Sequence, residues 1–168
     1  MNKLLQHVKK LTIMSKREDS MFELDNVPDN IADFNLKIKG PEHTPYQGAK
    51  FLINICIKNP DSYPKDVPDV KFVTKIFHPN IHSESGTICL DILKNQWAGH
   101  LMTLENIIQN IYSLMQTPNP NDPYNVVITG IYKKSYNEYL RTIVACTKEY
   151  GEKYSNYLSE KEIEELCK

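Results

Sequence analysis

The sequence carries no surplus of charge. Its 20 basic and 21 acidic side chains leave a formal net charge of -1, which argues against a general nucleic-acid partner. No apolar run approaches the length that crosses a bilayer, so no membrane role is expected. Met1 to Ile13 mixes basic and apolar residues and lacks the unbroken apolar run and small-residue cleavage site of a secretory leader. Cys56, Cys89, Cys146 and Cys167 form no C-x-x-C pair and share no metal-binding spacing with the five histidines. A zinc site is therefore not expected, nor any other metal or cofactor. Internal repeats and low-complexity tracts are absent as well. These absences point to a protein of a reducing compartment, the cytoplasm or nucleus, where thiols stay free.

What is present fits one α+β domain. At 168 residues, 40% of them hydrophobic, the chain is long enough to bury a core. Leu4, Leu5, Val8, Leu11 and Ile13 recur at near-helical spacing and predict about ten residues of amphipathic helix. Phe34, Leu36 and Ile38 alternate along a strand from Asp33 to Lys39. After turn signals at Gly40-Pro41 and Thr44-Pro45-Tyr46-Gln47-Gly48, the residues Phe51, Ile53, Ile55 and Ile57 predict a second strand. Val70 to Val73 predicts a third. Three strands joined by short turns read as an antiparallel meander.

From Ile76 to His100 no period holds, and so long an irregular stretch inside a compact domain is usually functional. Helical pattern returns after Thr103, an N-cap candidate with Asn106 at the third position. Leu104, Ile107, Ile108, Ile111, Tyr112, Leu114 and Met115 cover a wide arc of that helix. A further helix, or a pair, runs from about Val126 to Tyr150. Residues 1–152 are read as the main domain, and residues 153–168 as a short acidic extension packed on it as a frayed helix, with partner docking as the alternative.

The irregular stretch holds the candidate chemistry: His78-Pro79-Asn80, then Gly86-Thr87-Ile88-Cys89-Leu90-Asp91-Ile92-Leu93, then Trp97. A loop cysteine among hydrogen-bonding groups suits nucleophilic thiol chemistry, although a buried structural cysteine is the ordinary alternative. His78 is a candidate base for Cys89 or a loop-stiffening donor. Asn80 could stabilise an oxyanion through its amide, or simply serve as a turn residue.

Together these residues resemble the active-site signature of ubiquitin-conjugating enzymes. The similarity extends to Gly40-Pro41, Thr44-Pro45-Tyr46-x-Gly48, Tyr63-Pro64, Pro68, and Pro118-Asn119-Pro120 with Asp122-Pro123, in the family's order over about residues 1–152. The resemblance implies an α+β fold with a four-stranded antiparallel meander sheet, its fourth strand around Ile76 or just beyond. It also implies that Cys89 receives ubiquitin, or a ubiquitin-like protein, from an activating enzyme as a thioester. The acyl group then passes to a lysine of a protein substrate or to a ligase cysteine. Asn80 would stabilise the oxyanion or organise the loop. Asp122 would orient the acceptor lysine, with Asp91 assisting, while His78, Pro79 and Trp97 would shape the loop. Lys3, Lys9 and Lys10 match the family's face for the activating enzyme. Tyr63, Lys65, Ala98, Gly99 and His100 match its ligase surface. The run around Cys89 looks more like members that load ubiquitin than SUMO-type members, with a NEDD8-type role left open.

The chain departs from the pattern in several places. It has one residue more than usual at His82-Ser83-Glu84-Ser85, Lys65 where an aromatic is common, Ala98-Gly99-His100 in place of Ser-Pro-Ala with an extra residue before Thr103, and Tyr124 where a smaller apolar residue is common. Two rival readings stand beside the conjugating one: a catalytically silent ubiquitin-binding relative, and a thiol hydrolase using Cys89 with a histidine.

Overall fold

A computed structural model describes residues 2–88 and 102–168 of the chain. In chain order the elements are α1 (Lys3–Met14), β1 (Phe22–Glu23), β2 (Asp33–Lys39), β3 (Ala49–Cys56), a single 3-10 turn at Pro60–Ser62 and β4 (Asp69–Phe72). These are followed by α2 (Leu104–Gln116), α3 (Val126–Lys134), α4 (Tyr136–Tyr150), β5 (Glu152–Lys153) and α5 (Glu160–Leu166). The architecture is the expected α+β one.

α1 is capped by the Asn2 side chain, which accepts the Leu4 N–H at 2.9 Å. Its buried stripe is Leu4, Val8, Leu11 and Thr12. Ile13, expected on that stripe, is 67% exposed, because the 3.6-residue period turns position 13 away from positions 4, 8 and 11.

Strict alternation sets the sheet register. β2 pairs antiparallel with β3 from Asp33↔Cys56 to Lys39↔Lys50, and β3 pairs with β4 from Ile53↔Phe72 to Cys56↔Asp69. Phe34, Leu36, Ile38, Phe51, Ile53, Ile55, Val70 and Phe72 thereby share the inner face and are all buried.

The fourth strand of the meander is not at Ile76. It is β1, which adds to the free edge of β2 through Phe22↔Ile38 and Glu23↔Lys37. Among the described residues between β4 and α2, only isolated bridges form, Lys71↔Thr87 and Ile81↔Ile88. β1 has two residues, too few for alternation to reveal it. β5 is an equally short addition to β3, through Ala49↔Lys153 and Lys50↔Glu152.

The turn between β2 and β3 locks the sheet to the site. Thr44 Oγ1 donates to the Pro41 carbonyl at 2.7 Å. The Tyr46 ring is fully buried, with its hydroxyl donating to Phe77 O at 2.9 Å. A Cβ on Gly40 would lie 1.7 Å from the Tyr46 carbonyl oxygen, so this close crossing admits only glycine.

α2 begins with a reciprocal cap. Thr103 Oγ1 accepts the Asn106 N–H at 3.2 Å, and Asn106 Oδ1 accepts the Thr103 N–H at 3.0 Å. Its buried face, Leu104, Ile107, Ile108, Ile111 and Met115, joins one hydrophobic cluster with α1, the sheet and Tyr139, Leu140, Ile143 and Val144 of α4. The α3–α4 break falls at Ser135, whose side chain caps α4 by accepting the Glu138 N–H.

Residues beyond Gly151 return over the β2–β3 turn. Tyr154 and Ser155 both donate N–H groups to Gly48 O. α5 opens with a Ser159/Glu162 capping box. Leu158 and Ile163 reach 3% and 2% exposure inside the common cluster. Deleting buried methyl groups there removes core packing, so Ile163→Ala should lower stability by about 2–4 kcal/mol in urea titration. A loss below about 0.5 kcal/mol, ordinary for a surface substitution, would show that α5 lies outside the cooperative unit.

Candidate functional site

The site is built around His78 and Asn80. His78 is completely buried. Its Nδ1 accepts the backbone N–H of Asn80 at 2.9 Å, and its Nε2 lies 2.9 Å from the Leu114 carbonyl near the end of α2. A carbonyl can only accept, so Nε2 carries the hydrogen and the ring is neutral. Burial away from water pushes its pKa down to about 4, and the Leu114 bond opposes this only in part.

Asn80 is 1% exposed. Its Nδ2 donates to the carbonyls of Asn119 at 2.7 Å and Asp122 at 2.8 Å, while its Oδ1 accepts the Asn119 N–H at 2.8 Å. An amide nitrogen has two hydrogens, and both are committed. In this structure Asn80 is therefore the organiser of its loop, with no hydrogen left for an oxyanion. Pro79 completes the junction, its carbonyl accepting the N–H groups of Tyr124 at 2.8 Å and Asn125 at 2.9 Å. Residues 78–80 thus hold the 119–125 segment by five hydrogen bonds counted from these partners.

On the other side the chain runs through Ile81 and a turn to Ile88, the residue before Cys89. Ile81 and Ile88 pair as a bridge and are both buried. Residues 82–87 turn between them. His82 donates its N–H to Thr87 O and accepts the Gly86 N–H at its own carbonyl, both at 2.9 Å. Ser85 N–H meets His82 Nδ1 at 3.2 Å. Gly86 adopts φ +68, and a Cβ there would lie 1.9 Å from Phe72 O, so the turn needs glycine. The His82 ring meets Tyr124 edge-on, with centroids 5.6 Å apart.

Cys89, Asp91, Trp97, Ala98, Gly99 and His100 lie outside the described residues. Among the described candidates, Asn80, His78, Pro79 and Asp122 come together. The proposed partner residues do not all lie at the surface. Tyr63 is 8% exposed; its hydroxyl is 2.7 Å from His7 Nδ1, and the two rings meet edge-on at 5.5 Å. Burial holds the Tyr63 hydroxyl above its ordinary pKa and, with Lys3 and Lys10 adding to it, holds the His7 imidazole below its own. Tyr63 is thus a strut between its turn and α1 rather than a presented side chain. Lys65 projects into solvent, as do Lys3 and Lys9. Lys10 is exposed too, but its ammonium is paired with Glu105 of α2 at 2.5 Å. Sequence reasoning missed Leu114 and Asn119, which act through backbone atoms and so leave no side-chain signature.

The His78 geometry makes stability pH-dependent. An unfolded histidine binds a proton near pH 6.5, whereas folded His78 does so only near pH 4. Between these values the unfolded state holds the extra proton. The contribution is complete above pH 6.5 and declines as pH falls toward 4, by about 3 kcal/mol in total. An NMR titration should show the His78 imidazole still neutral, with its proton on Nε2, at pH 5. A midpoint near 6.5 would contradict the buried, doubly bonded ring.

Comparison with known proteins agrees with this arrangement. The sequence pattern of the family described as "Ubiquitin-conjugating enzyme" matches residues 5–147. The chain is 38% identical over 149 residues to "Ubiquitin-conjugating enzyme E2 K" of Homo sapiens, covering 88% of this chain and 73% of that protein. Its fold is similar to a Plasmodium yoelii chain assigned as a ubiquitin conjugating enzyme, with a TM-score of 0.80, 34% identity, and coverage of 92% of this chain and 98% of that one. A Toxoplasma gondii ubiquitin conjugating enzyme E2 domain gives a TM-score of 0.78 at 31% identity, covering 89% of this chain and 97% of that one. The chain belongs to the ubiquitin-conjugating enzymes, transferases that carry ubiquitin as a thioester.

Proposed function

We propose that Cys89 is the acceptor thiol, loaded with ubiquitin by an activating enzyme in the cytoplasm or nucleus. The Cys89 thiolate attacks the activating enzyme's thioester carbonyl; a new C–S bond forms, the old one breaks, and the activating enzyme's thiol leaves. The acyl group then goes to a ligase cysteine by the same exchange, or to a substrate lysine. In the second case the amine loses a proton, the C–N bond forms and the Cys89 thiolate is released. The thioester supplies the activation, so this chain consumes no ATP itself.

The observation that favours a carrier over a hydrolase is the commitment of His78. Both ring nitrogens are bonded within the loop, which leaves neither a lone pair nor a hydrogen to serve the thiol as a base. Asn80 supports transfer by fixing the 119–125 segment. Asp122, in that segment, orients the acceptor amine and favours loss of its proton, and Asp91 assists. Lys3 and Lys9 contribute to the face for the activating enzyme. Lys65, with Ala98, Gly99 and His100, contributes to a ligase surface whose charged anchor differs from the family's aromatic one.

Incubation with activating enzyme, ATP and ubiquitin should give an adduct on a non-reducing gel that thiol reductant removes. Cys89→Ala should abolish it, and Cys89→Ser should give an adduct that resists reductant. Absence of any adduct with ubiquitin, SUMO or NEDD8 would overturn the reading. Hydrolysis of a simple ester without ATP would favour the hydrolase.

A further inference from the structure

The C-terminal half of α2, the β2–β3 turn and the α3–α4 junction enclose two adjoining clefts outside the Asn80 loop. The first, about 560 Å³, has Tyr112, Gln116 and Tyr154 on its walls. The second, about 230 Å³, is walled by Tyr132, Tyr136 and Tyr139 with Pro45, Met115 and Pro118. His43 and Gln116 line both, so the two form one groove. Its aromatic end is a built cluster. Tyr132 meets Tyr136 and Tyr139 edge-on at 5.6 and 5.0 Å, and Tyr136 stacks on Tyr139 at 5.7 Å. Tyr136 is nonetheless 43% exposed. Tyr139 is 2% exposed, and its hydroxyl has no hydrogen-bond partner among the described residues. The neighbouring Tyr46 hydroxyl gives its hydrogen to Phe77 O and lies outside hydrogen-bonding geometry with Tyr139. Burial holds the Tyr139 pKa above its ordinary value, so the hydroxyl keeps its hydrogen and can donate it. Native structures rarely leave such a group unpaired.

Ring faces and a donor call for an occupant that offers apolar surface and carbonyls. A polyproline II segment is that occupant: proline has no N–H, and the carbonyls of this backbone bond only to solvent. Aromatic-lined grooves take such segments because they are already extended. The other end of the groove carries charge. Glu18, Asp19 and Glu42 line the first cleft with one lysine, Lys39. None of the three acids is in an ion pair among the described residues. His43, at the junction of the clefts, adopts φ +58, uncommon for a residue other than glycine, and its N–H is held by Gln47 Oε1 at 2.8 Å. We propose that this groove binds a proline-rich segment of a partner protein, with the prolines against the tyrosines and a basic side chain against Glu18, Asp19 and Glu42. Tyr112 and Gln116 are one turn, about 6 Å, apart along α2, which polyproline II covers in about two residues. The basic residue therefore stands about three positions from the prolines. The groove is formed without a thioester, so docking and loading are separable.

The test is fluorescence polarisation of the unloaded full-length chain with a labelled peptide that carries one arginine three positions before a Pro-x-x-Pro run. A second peptide replaces the prolines by alanine, and a third replaces the arginine by glutamate. The first should bind about tenfold tighter than the second. It should bind about fivefold tighter than the third, the size that exposed ion pairs reach. Tyr136→Ala removes an exposed ring and should weaken binding about tenfold. Tyr139→Phe keeps the ring and removes the hydroxyl. It should weaken binding about fivefold without lowering the melting temperature, whereas a merely structural hydroxyl would lower the melting temperature and leave binding unchanged. Glu18→Lys combined with Glu42→Lys should reverse the order of the first and third peptides, with thermal melts confirming that the variant folds. Affinity for the first peptide weaker than about 1 mM, equal binding of the alanine peptide, or an order that charge reversal leaves unchanged would overturn the inference. So would self-association in sedimentation that Tyr136→Ala abolishes, which would give the groove to a second copy of the chain. No readout here depends on thioester formation, so a failure of the conjugating reading would be seen separately.

Discussion

A buried imidazole that donates at one nitrogen and accepts at the other is the joint on which the site turns. His78 takes the Asn80 N–H at Nδ1 and gives its own hydrogen to Leu114, so it ties the loop to the last full turn of α2. The two roles coexist only while the ring is neutral. A proton added at Nδ1 would face the Asn80 N–H, donor against donor, and would cost that bond as well as the desolvation of a charge. The fold thus depends on the same property, a depressed pKa, that removes His78 from acid–base work at neutral pH.

The next link is Asn80. Every hydrogen-bonding group of its side chain is used, two donations and one acceptance, all on backbone of the 119–122 segment. Side chains bonded to backbone specify a path for the chain rather than a particular partner residue. Between Ile81 and Ile88 the chain turns, and its Gly86 passes against Phe72 O. The strand pairing on either side of the turn is intact, and so is the Asn80 loop behind it.

What could be seen in the sequence follows the same physics. The long strands were legible because alternation over seven or eight residues fixes which face is buried, and α2 because its apolar arc and Thr103–Asn106 cap agree. β1 and β5 were not, since two-residue strands defined by backbone pairing leave no period. The Asn80 region was legible as chemistry, from residue types in order, yet its hydrogen bonds were not, because half of each bond is a carbonyl or N–H of Leu114, Asn119, Asp122 or Pro79. Tyr63 shows the reverse error. A motif position suggested a presented aromatic, and the structure buries it against His7.

α3 brings the two kinds of constraint together. Its inner side, Ile128 and Thr129 with Ile131 and Tyr132 partly buried beside them, and its Asn125 cap are fixed by packing and by Pro79; Val126, Val127, Lys133 and Lys134 on its outer side are exposed. A helix held so firmly at its start cannot rotate to hide an unfavourable face, so Val126, Val127, Lys133 and Lys134 keep a constant position relative to the Asn80 loop. Val126 and Val127 open the helix, and Lys133 and Lys134 lie in its last turn, where cations suit the helix dipole. Because the interior bonds hold the opposite side, substitution on this outer face can proceed without disturbing the joint at His78.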